Sequence, residues 1–189
     1  MSFTTTMNRK YLLAFLLPLA LLLAFAPKLK KVTVAKNVTL SIPQTFEVMP
    51  DDGIAREYPA ARKPLGVFTS PDGNVDISVN QRPSTFPAND INVLLPFYKA
   101  SIQRMFTEVQ FLREEKQTIN GRDFLVYEFV STVRDERRTG NLAPVRKYTL
   151  IQYTFLKDQM LIFSFNAPVQ LQKEWQETAR AVMATATVK

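Results

Sequence analysis

The chain has 189 residues, no cysteine, no histidine and a formal net charge of +7 at pH 7. Ser-His-Asp triads, thiol chemistry and the usual zinc sites need the residue types that are missing, so the composition excludes these chemistries. The five glycines are scattered singly, which also excludes a phosphate-cradling loop and a dinucleotide-binding fingerprint.

The first feature along the chain is an uncharged apolar run from Tyr11 to Ala26, preceded by Arg9 and Lys10 and ending in small residues. This pattern is typical of a secretory signal, and the run is shorter than the roughly 20 residues that span a bilayer. Pro27 is unfavourable for cleavage directly after Ala26, and three lysines follow within residues 28–31. The leader is therefore predicted to be either cleaved or retained as an anchor.

The leader divides the chain into two predicted regions. Residues 1–31 are predicted to be a signal peptide or an N-terminal membrane anchor with a basic linker, and residues 11–31 are the candidate membrane contact. Residues 32–189 number about 160 and are predicted to form a single domain. The apolar helix of the leader, with Leu16, Leu19 and Leu23, is expected not to pack on that domain. The leader predicts export to the periplasm, the cell envelope or the medium. Without a cysteine the chain cannot be a lipoprotein, so the exported form is expected to be soluble or held by its own leader.

The first part of the domain reads as strands and turns. Residues 32–49 alternate β-branched residues and predict one or two strands cut by Asn37 and Pro43. Residues 49–64 contain three prolines and a glycine and predict an irregular loop. Residues 65–69 and 75–81 predict a hairpin that turns at Asp72-Gly73.

Apolar positions between Asn89 and Glu108 predict the first amphipathic helix. Pro96 falls inside this pattern, so it must lie in the first turn or bend the helix. The apolar positions are spaced by three and four residues and share one helical face, and they are Ile91, Leu94, Leu95, Tyr98, Ile102, Met105 and Phe106.

Two further hairpins are predicted after this helix. Residues 109–119 and 122–133 flank Asn120-Gly121, which is the strongest short hairpin signal in the chain. Residues 146–156 and 159–167 flank Lys157-Asp158. These strands are rich in aromatic residues, which indicates a packed sheet.

The last element is predicted to be an amphipathic helix with Asn166 as its N-cap and Pro168 near its first position. We expect Trp175 and Leu171 to pack on the strands that carry Tyr127 and Phe163, so that Trp175→Ala costs about 3–5 kcal/mol. Several antiparallel strands with one helix inserted and one at the end predict an α+β fold, an antiparallel sheet with helices packed on it.

The order of elements, together with "INGRDFLVYEF", "YTLIQYTFLKDQMLIFSF" and the helix that follows "NAP", resembles the PsbP-like, Mog-like and DcrB-like family over residues 32–189. The resemblance implies an α/β/α sandwich and a role in docking to or assisting another protein rather than catalysis. It implies no cofactor and no metal here, because the chain lacks the histidine that contacts metal in photosynthetic members. The export signal argues against a nuclear Ran partner.

Carboxylates are the remaining groups that could carry chemistry. Asp72, Asn74 and Asp76 are spaced like the first ligands of a calcium loop, but Ile77 and Pro83 replace the required glycine and glutamate, so a turn is predicted. The pairs Asp51-Asp52 and Glu114-Glu115 are predicted not to converge, the second because neighbours on a strand point to opposite faces. A carboxylate hydrolase is therefore only a reserve hypothesis.

Glu128 shares the apolar side of its strand with Phe124, Val126 and Val130. A carboxylate on such a face needs a partner or a raised pKa. A salt bridge or a position at a sheet edge is the explanation that we favour over catalysis.

A long connection from Arg134 to Val145 joins two strands that should pair, and it far exceeds the ordinary hairpin loop of about 2–5 residues. Its basic residues form the candidate partner-binding site, because arginine binds carboxylates through two donors at once. The basic residues are Arg134, Arg137, Arg138, Arg146 and Lys147. Asp135 and Glu136 interrupt this cluster, a solvated connector is the alternative, and no nucleic-acid-binding motif accompanies it.

From these observations we predict an exported, non-catalytic binding or assembly module of the cell envelope that docks to a protein partner. The alternative is a membrane-tethered accessory subunit or chaperone of a secretion or uptake complex, in which the uncleaved leader is part of the function.

Overall fold

The computed structural model describes residues 27–59, 62–86, 91–134 and 143–189. The predicted leader, with Leu16, Leu19 and Leu23, lies outside the described residues, so its helix and its fate stay predictions. Across the four ranges that are described, none of the helices has the length and apolar character needed to span a membrane. The first strand begins at Leu29 and so includes the last lysines of the predicted linker.

The described residues form ten strands, with three α-helices inserted among them. In chain order they are β1 (Leu29–Ala35), β2 (Val38–Pro43), β3 (Glu47–Val48), α1 (Asp51–Glu57), β4 (Gly66–Thr69), β5 (Asp76–Pro83), α2 (Ile91–Met105), β6 (Glu108–Ile119), β7 (Arg122–Val133), β8 (Val145–Phe155), β9 (Gln159–Pro168), a 3₁₀ turn (Val169–Leu171), α3 (Gln172–Met183) and β10 (Thr187–Val188).

Seven strands form one antiparallel sheet in the order β3-β4-β5-β9-β8-β7-β6, and β1-β2-β10 form a second, smaller sheet. The larger sheet is built from three hairpins and the short strand β3, which pairs with β4, and the pairing of β5 with β9 joins the first hairpin to the last. The predicted α+β fold is confirmed, since helices pack on an antiparallel sheet.

Side chains alternate along each strand, so the large sheet has two faces with separate cores. The α3 face carries Phe124, Phe163 and Phe165 and is covered by α3 and the small sheet. The α2 face carries Tyr127 and Tyr153 and is covered by α2 over strands β6 to β8. Helices and the small sheet thus lie on both sides, as the predicted sandwich requires.

The predicted turns are confirmed by backbone geometry. Asn120 and Gly121 have φ angles of 49° and 80°, the left-handed conformation that a two-residue hairpin turn needs. Gly73, at the Asp72-Gly73 turn, has a φ angle of 72°. A side-chain hydrogen bond from Asn74 to Asp72, 2.7 Å long, closes this turn, so the turn interpretation of the calcium-like string is correct.

The predicted irregular loop at residues 49–64 is wrong in part, because Asp51–Glu57 form α1. Its first turn carries Asp51 and Asp52, which interact favourably with a helix N-terminus. Ile54 packs with Met49 and Val67 in a small third core. A helix this short is stabilised mainly by tertiary packing, which local composition does not show.

The first predicted helix is confirmed with narrower bounds, Ile91–Met105 instead of 89–108. Pro96 lies inside the helix rather than in its first turn. Leu94, Tyr98 and Ile102 are buried as predicted, whereas Met105 is exposed because it ends the helix beyond the edge of the core.

The last predicted helix begins later than expected. Asn166 lies in β9 instead of capping the helix, and Pro168 precedes the 3₁₀ turn that leads into α3. Trp175 packs against Phe46 and Phe165, with ring centroids 5.4 and 6.2 Å away. Contact with the Phe163 side of the sheet is confirmed, but Tyr127 points to the opposite face of its strand.

Candidate functional site

A polar cleft opens on the α2 face where neither α1 nor α2 covers the sheet. Its volume is about 460 Å³. The lining residues come from the C-terminal ends of α1 and α2 and from four strands. They are Glu57, Tyr58, Asp76, Phe106, Ser131, Lys147, Thr149 and Asn166. We call this feature the polar cleft.

Strand register positions the cleft residues at one end of the large sheet. Asp76 begins β5 and pairs with Asn166 near the end of β9, which pairs in turn with Thr149 of β8. Ser131 pairs with Lys147 on the neighbouring strands. The cleft therefore lies where β7 ends and β8 begins, at the base of the 134–145 connection.

Hydrogen bonds connect the floor of the polar cleft. The Tyr58 hydroxyl and the Asn166 amide both donate to Oδ1 of Asp76, the second over 3.0 Å. The Thr149 hydroxyl donates to Oδ1 of Asn166 over 3.1 Å. These bonds tie the residue that follows α1 to three strands of the sheet and hold the polar side chains in fixed orientations.

Burial perturbs the titrating groups of the cleft. Desolvation raises the pKa of the Asp76 carboxyl, and the hydrogen bonds from Tyr58 and Asn166 and the charge of Lys147 partly offset it. Burial also raises the pKa of the Tyr58 hydroxyl, and the nearby Asp76 carboxylate adds to this effect. Perturbed groups in a cleft are a physical indicator of a functional site.

The structure places some of the predicted partner-binding residues beside this cleft. Arg134 is exposed and forms an ion pair with Glu108 at 3.0 Å, and Arg146 and Lys147 are exposed at the start of β8. Lys147 faces the cleft, whereas Arg146 lies on the alternate face of the strand. Arg137 and Arg138 lie outside the described residues, so their part of the prediction stays untested.

Two valines complete the surface at the base of the connection. Val133 and Val145 are directly paired in the β7-β8 ladder and are 46% and 57% exposed. We call Val133, Arg134, Val145, Arg146 and Lys147 the loop-base patch. It combines exposed apolar area with three exposed cations, of which Lys147 borders the polar cleft and Arg146 lies on the opposite face of β8.

Glu128 has the salt bridge that its sequence position suggested. Its side chain is 0% exposed, and Nε of Arg180 lies 3.1 Å from its Oε2. Nη2 of Arg180 and the Tyr148 hydroxyl each donate to Oε1 over 3.1 Å, and Gln176 also donates to it. The carboxylate is fully bonded within the α3 face, which indicates a role in stability.

The other carboxylate predictions are also accounted for. Glu114 pairs with Lys99 at 2.6 Å on the α2 face, and Glu115 pairs with Arg113 on the other face, so the two neighbours do not converge. Asp51 pairs with Lys63 at 2.6 Å. Within the ranges that the structure covers, no group of acidic residues has the arrangement of a metal site.

The sequence reading missed the polar cleft as a site. A signal was present, because polar residues alternate with apolar ones in "DISVN" and "FSFN", which indicates a strand face with few apolar residues. That signal does not reveal that the polar faces of two distant strands, β5 and β9, lie side by side.

The chain has an α+β fold that is PsbP-like and Mog-like, which confirms the predicted resemblance at the level of the fold. A scan against models of protein families and a search of curated proteins find no match. Solved structures do match, and sequence identities as low as theirs establish the fold alone.

Three of these structures are similar to this chain over most of its length. Cyanobacterial PsbP (CyanoP) from Synechocystis sp. PCC 6803 has a TM-score of 0.56 at 12% identity, covering 87% of this chain and 94% of that protein. LpqN of Mycobacterium tuberculosis, described as involved in cell envelope biogenesis, has a TM-score of 0.57 at 9% identity, covering 85% and 91%. The Saccharomyces cerevisiae Ran-binding protein Mog1p has a TM-score of 0.56 at 14% identity, covering 86% and 96%.

Proposed function

We propose that this chain is an exported, non-catalytic binding or assembly module of the cell envelope, which docks to a protein partner through the loop-base patch. The observation that carries the proposal is the exposed Val133-Val145 pair, with Lys147 on the same face of the sheet and Arg134 and Arg146 next to the two valines along the chain. Apolar area with arginine beside it is typical of the energetically important part of an interface. An acidic partner surface is the complement of this patch.

Proteins of similar fold support a partner-binding role in general terms. Mog1p is described as Ran-binding, and LpqN as involved in cell envelope biogenesis. The same fold thus serves proteins described by a partner or an assembly process. The identity of the partner here comes from neither, because sites and not folds carry function.

The envelope location rests on the apolar run of residues 11–26. If the run is cleaved, the domain acts as a released module. If it is retained, the chain is the tethered accessory subunit or chaperone of a secretion or uptake complex. Intact mass measurement of the chain recovered from its native envelope distinguishes the two, since cleavage removes about 26 of the 189 residues.

Catalysis is not part of the proposal, although Glu57 and Asp76 both border the polar cleft. Oδ1 of Asp76 accepts hydrogen bonds from Tyr58 and Asn166, which bind the end of α1 to the sheet. Glu57 lies on the exposed end of α1. This arrangement accounts for Asp76 as a structural and binding group without a reaction.

The test replaces the three cations of the loop-base patch, Arg134, Arg146 and Lys147, with serine in the full-length chain and measures recovery of the bound partner from envelope extracts. Three solvent-exposed ion pairs contribute about 1–2 kcal/mol together, so recovery at low salt should fall about tenfold, and less at moderate salt. Circular dichroism melting should be unchanged in this variant.

A matched control removes three cations elsewhere, by serine substitution at Lys36, Lys157 and Lys173, all of which are exposed. It changes the net charge by the same amount and should leave recovery unaffected. Equal loss in both variants would mean that net charge alone governs recovery, and no loss in either would contradict docking through the loop-base patch.

A further inference from the structure

The polar cleft contains groups of opposite charge and neutral hydrogen-bonding groups together. Glu57 and Asp76 lie on the α1 side of the cleft, and Lys147 lies on the β8 side. No lysine or arginine nitrogen in the described ranges comes within 4.0 Å of the Asp76 carboxylate. Neutral donors and acceptors lie between the two sides of the cleft, on Ser131, Thr149 and Asn166.

This distribution disfavours three classes of ligand. A cation would approach the Lys147 ammonium, and an anion would approach the Glu57 and Asp76 carboxylates, so neither is well accommodated. A wholly apolar ligand would displace water from the Glu57 carboxylate and the Lys147 ammonium that line the cleft, and this desolvation is unfavourable. A neutral ligand with many donors and acceptors avoids all three of these conflicts.

The walls also offer the mixed chemistry that such a ligand needs. Asp76 accepts hydrogen bonds, the Lys147 ammonium donates them, and the Thr149 hydroxyl does both. Phe106 supplies an aromatic wall, and its ring is held by Phe129, with centroids 5.9 Å apart.

We infer that the polar cleft is a binding site for a neutral polyhydroxylated ligand of the sugar class. Ligand hydroxyls would donate to Asp76 and accept from Lys147 and Asn166, while an apolar ring face would lie against Phe106. The cleft volume of about 460 Å³ falls in the range of roughly 300–1,000 Å³ of pockets that enclose small molecules. This inference goes beyond the proposed function and does not depend on a protein partner.

The test uses the full-length chain in detergent micelles that contain no sugar headgroups. Saturation-transfer difference NMR and titration calorimetry measure binding of glucose, N-acetylglucosamine and a linear trisaccharide. Glucose 6-phosphate serves as the anionic comparison, and Nα-acetyl-lysine amide, which keeps its ε-ammonium, serves as the cationic one. Binding of at least one neutral sugar, with weaker binding of both charged probes, is expected.

A pair of matched variants locates the site. Asp76→Asn keeps an oxygen that accepts from Tyr58 and Asn166 but removes the charge, and affinity should fall about tenfold. Asp123→Asn is the control, since Asp123 lies eight residues from Ser131 along β7, roughly 26 Å away. This variant should bind the sugar as tightly as the unmodified chain does. Thr149→Val removes one hydroxyl at nearly constant volume and provides a second test if Asp76→Asn melts early.

The outcomes separate clearly. Tighter binding of the trisaccharide than of either monosaccharide would indicate that the natural ligand is part of a larger glycan, and equal binding would indicate a free sugar. Absence of binding for every neutral sugar, or stronger binding of a charged probe, would overturn the inference. Binding that survives both Asp76→Asn and Thr149→Val would place the ligand elsewhere. Lys147 belongs to both the cleft and the loop-base patch, but Asp76 and Thr149 lie outside the patch, so these variants leave the patch unchanged and partner docking can fail while sugar binding succeeds.

Discussion

Removing the positive charge beside the buried Glu128 carboxylate should destabilise the fold more than removing a surface cation of equal exposure. Arg180→Met leaves a carboxylate that is 0% exposed without its counter-charge, whereas the Arg180 side chain itself is 39% exposed. Breaking a buried pair costs about 3–5 kcal/mol, and partial exposure of the arginine places the expected loss near the lower limit, about 3 kcal/mol.

A double-mutant cycle tests this reasoning. Glu128→Gln removes the charge but keeps an oxygen that accepts from Tyr148 and Gln176, so alone it should cost about 1.5–2 kcal/mol by weakening the bonds to Arg180. In the double variant no buried charge remains unpaired. The combined loss should therefore be smaller than the sum of the single losses by about 2 kcal/mol.

Urea unfolding followed by fluorescence measures all four proteins, because Trp175 is the sole tryptophan and lies on the same helix as Arg180. Lys116→Met is the matched control, since Lys116 is also 39% exposed but pairs at 2.7 Å with Asp123, which is 39% exposed too. That pair should contribute less than about 1 kcal/mol. Equal losses for Arg180→Met and Lys116→Met, or strict additivity in the cycle, would refute the account of Glu128.

Three further predictions follow from the described contacts. Trp175→Ala removes a half-buried ring packed on Phe46 and Phe165, so the loss should be about 3 kcal/mol in urea unfolding followed by circular dichroism, and a loss below about 1 kcal/mol would show that the helix face is misassigned. Gly121→Ala should cost about 1–2 kcal/mol from its φ of 80° alone, because an added Cβ meets nothing within 4 Å, and an unchanged midpoint would contradict the turn geometry. The pKa of Asp76 is raised in the folded state, so the folded protein binds more protons than the unfolded chain, and the free energy of unfolding should fall as pH rises from 3.8 through that raised value. Asp76→Asn should flatten this part of the plot of unfolding free energy against pH. An identical slope in both proteins would argue against this role of Asp76.

Much of the fold was predictable because the relevant signals are local. Asn120-Gly121 and Asp72-Gly73 specify tight turns through backbone conformations that few residues adopt, and the flanking apolar residues then fix the register of each hairpin. The helix face of Leu94, Tyr98 and Ile102 was readable for the same reason, since the period of 3.6 residues is a property of a short segment.

The errors occurred where tertiary contacts outweigh local preference. Asp51–Glu57 form a helix because Ile54 finds a core with Met49 and Val67, which come from outside the segment. Asn166 stays in β9 because it pairs with Asp76 across the sheet, although its type and spacing suit a helix cap. Met105 is exposed because the core ends before the helix does.

The sequence by itself determined the hairpins, the two longer helices, the excluded chemistries and the need of Glu128 for a partner, because each follows from residue type and short-range spacing. Only the tertiary structure decided which hairpins lie side by side. Asp76 and Asn166 are 90 residues apart, and they meet because β5 pairs with β9. Non-local strand pairing depends on how whole apolar faces pack together, and no short segment carries that information. The polar cleft exists only as a consequence of that pairing.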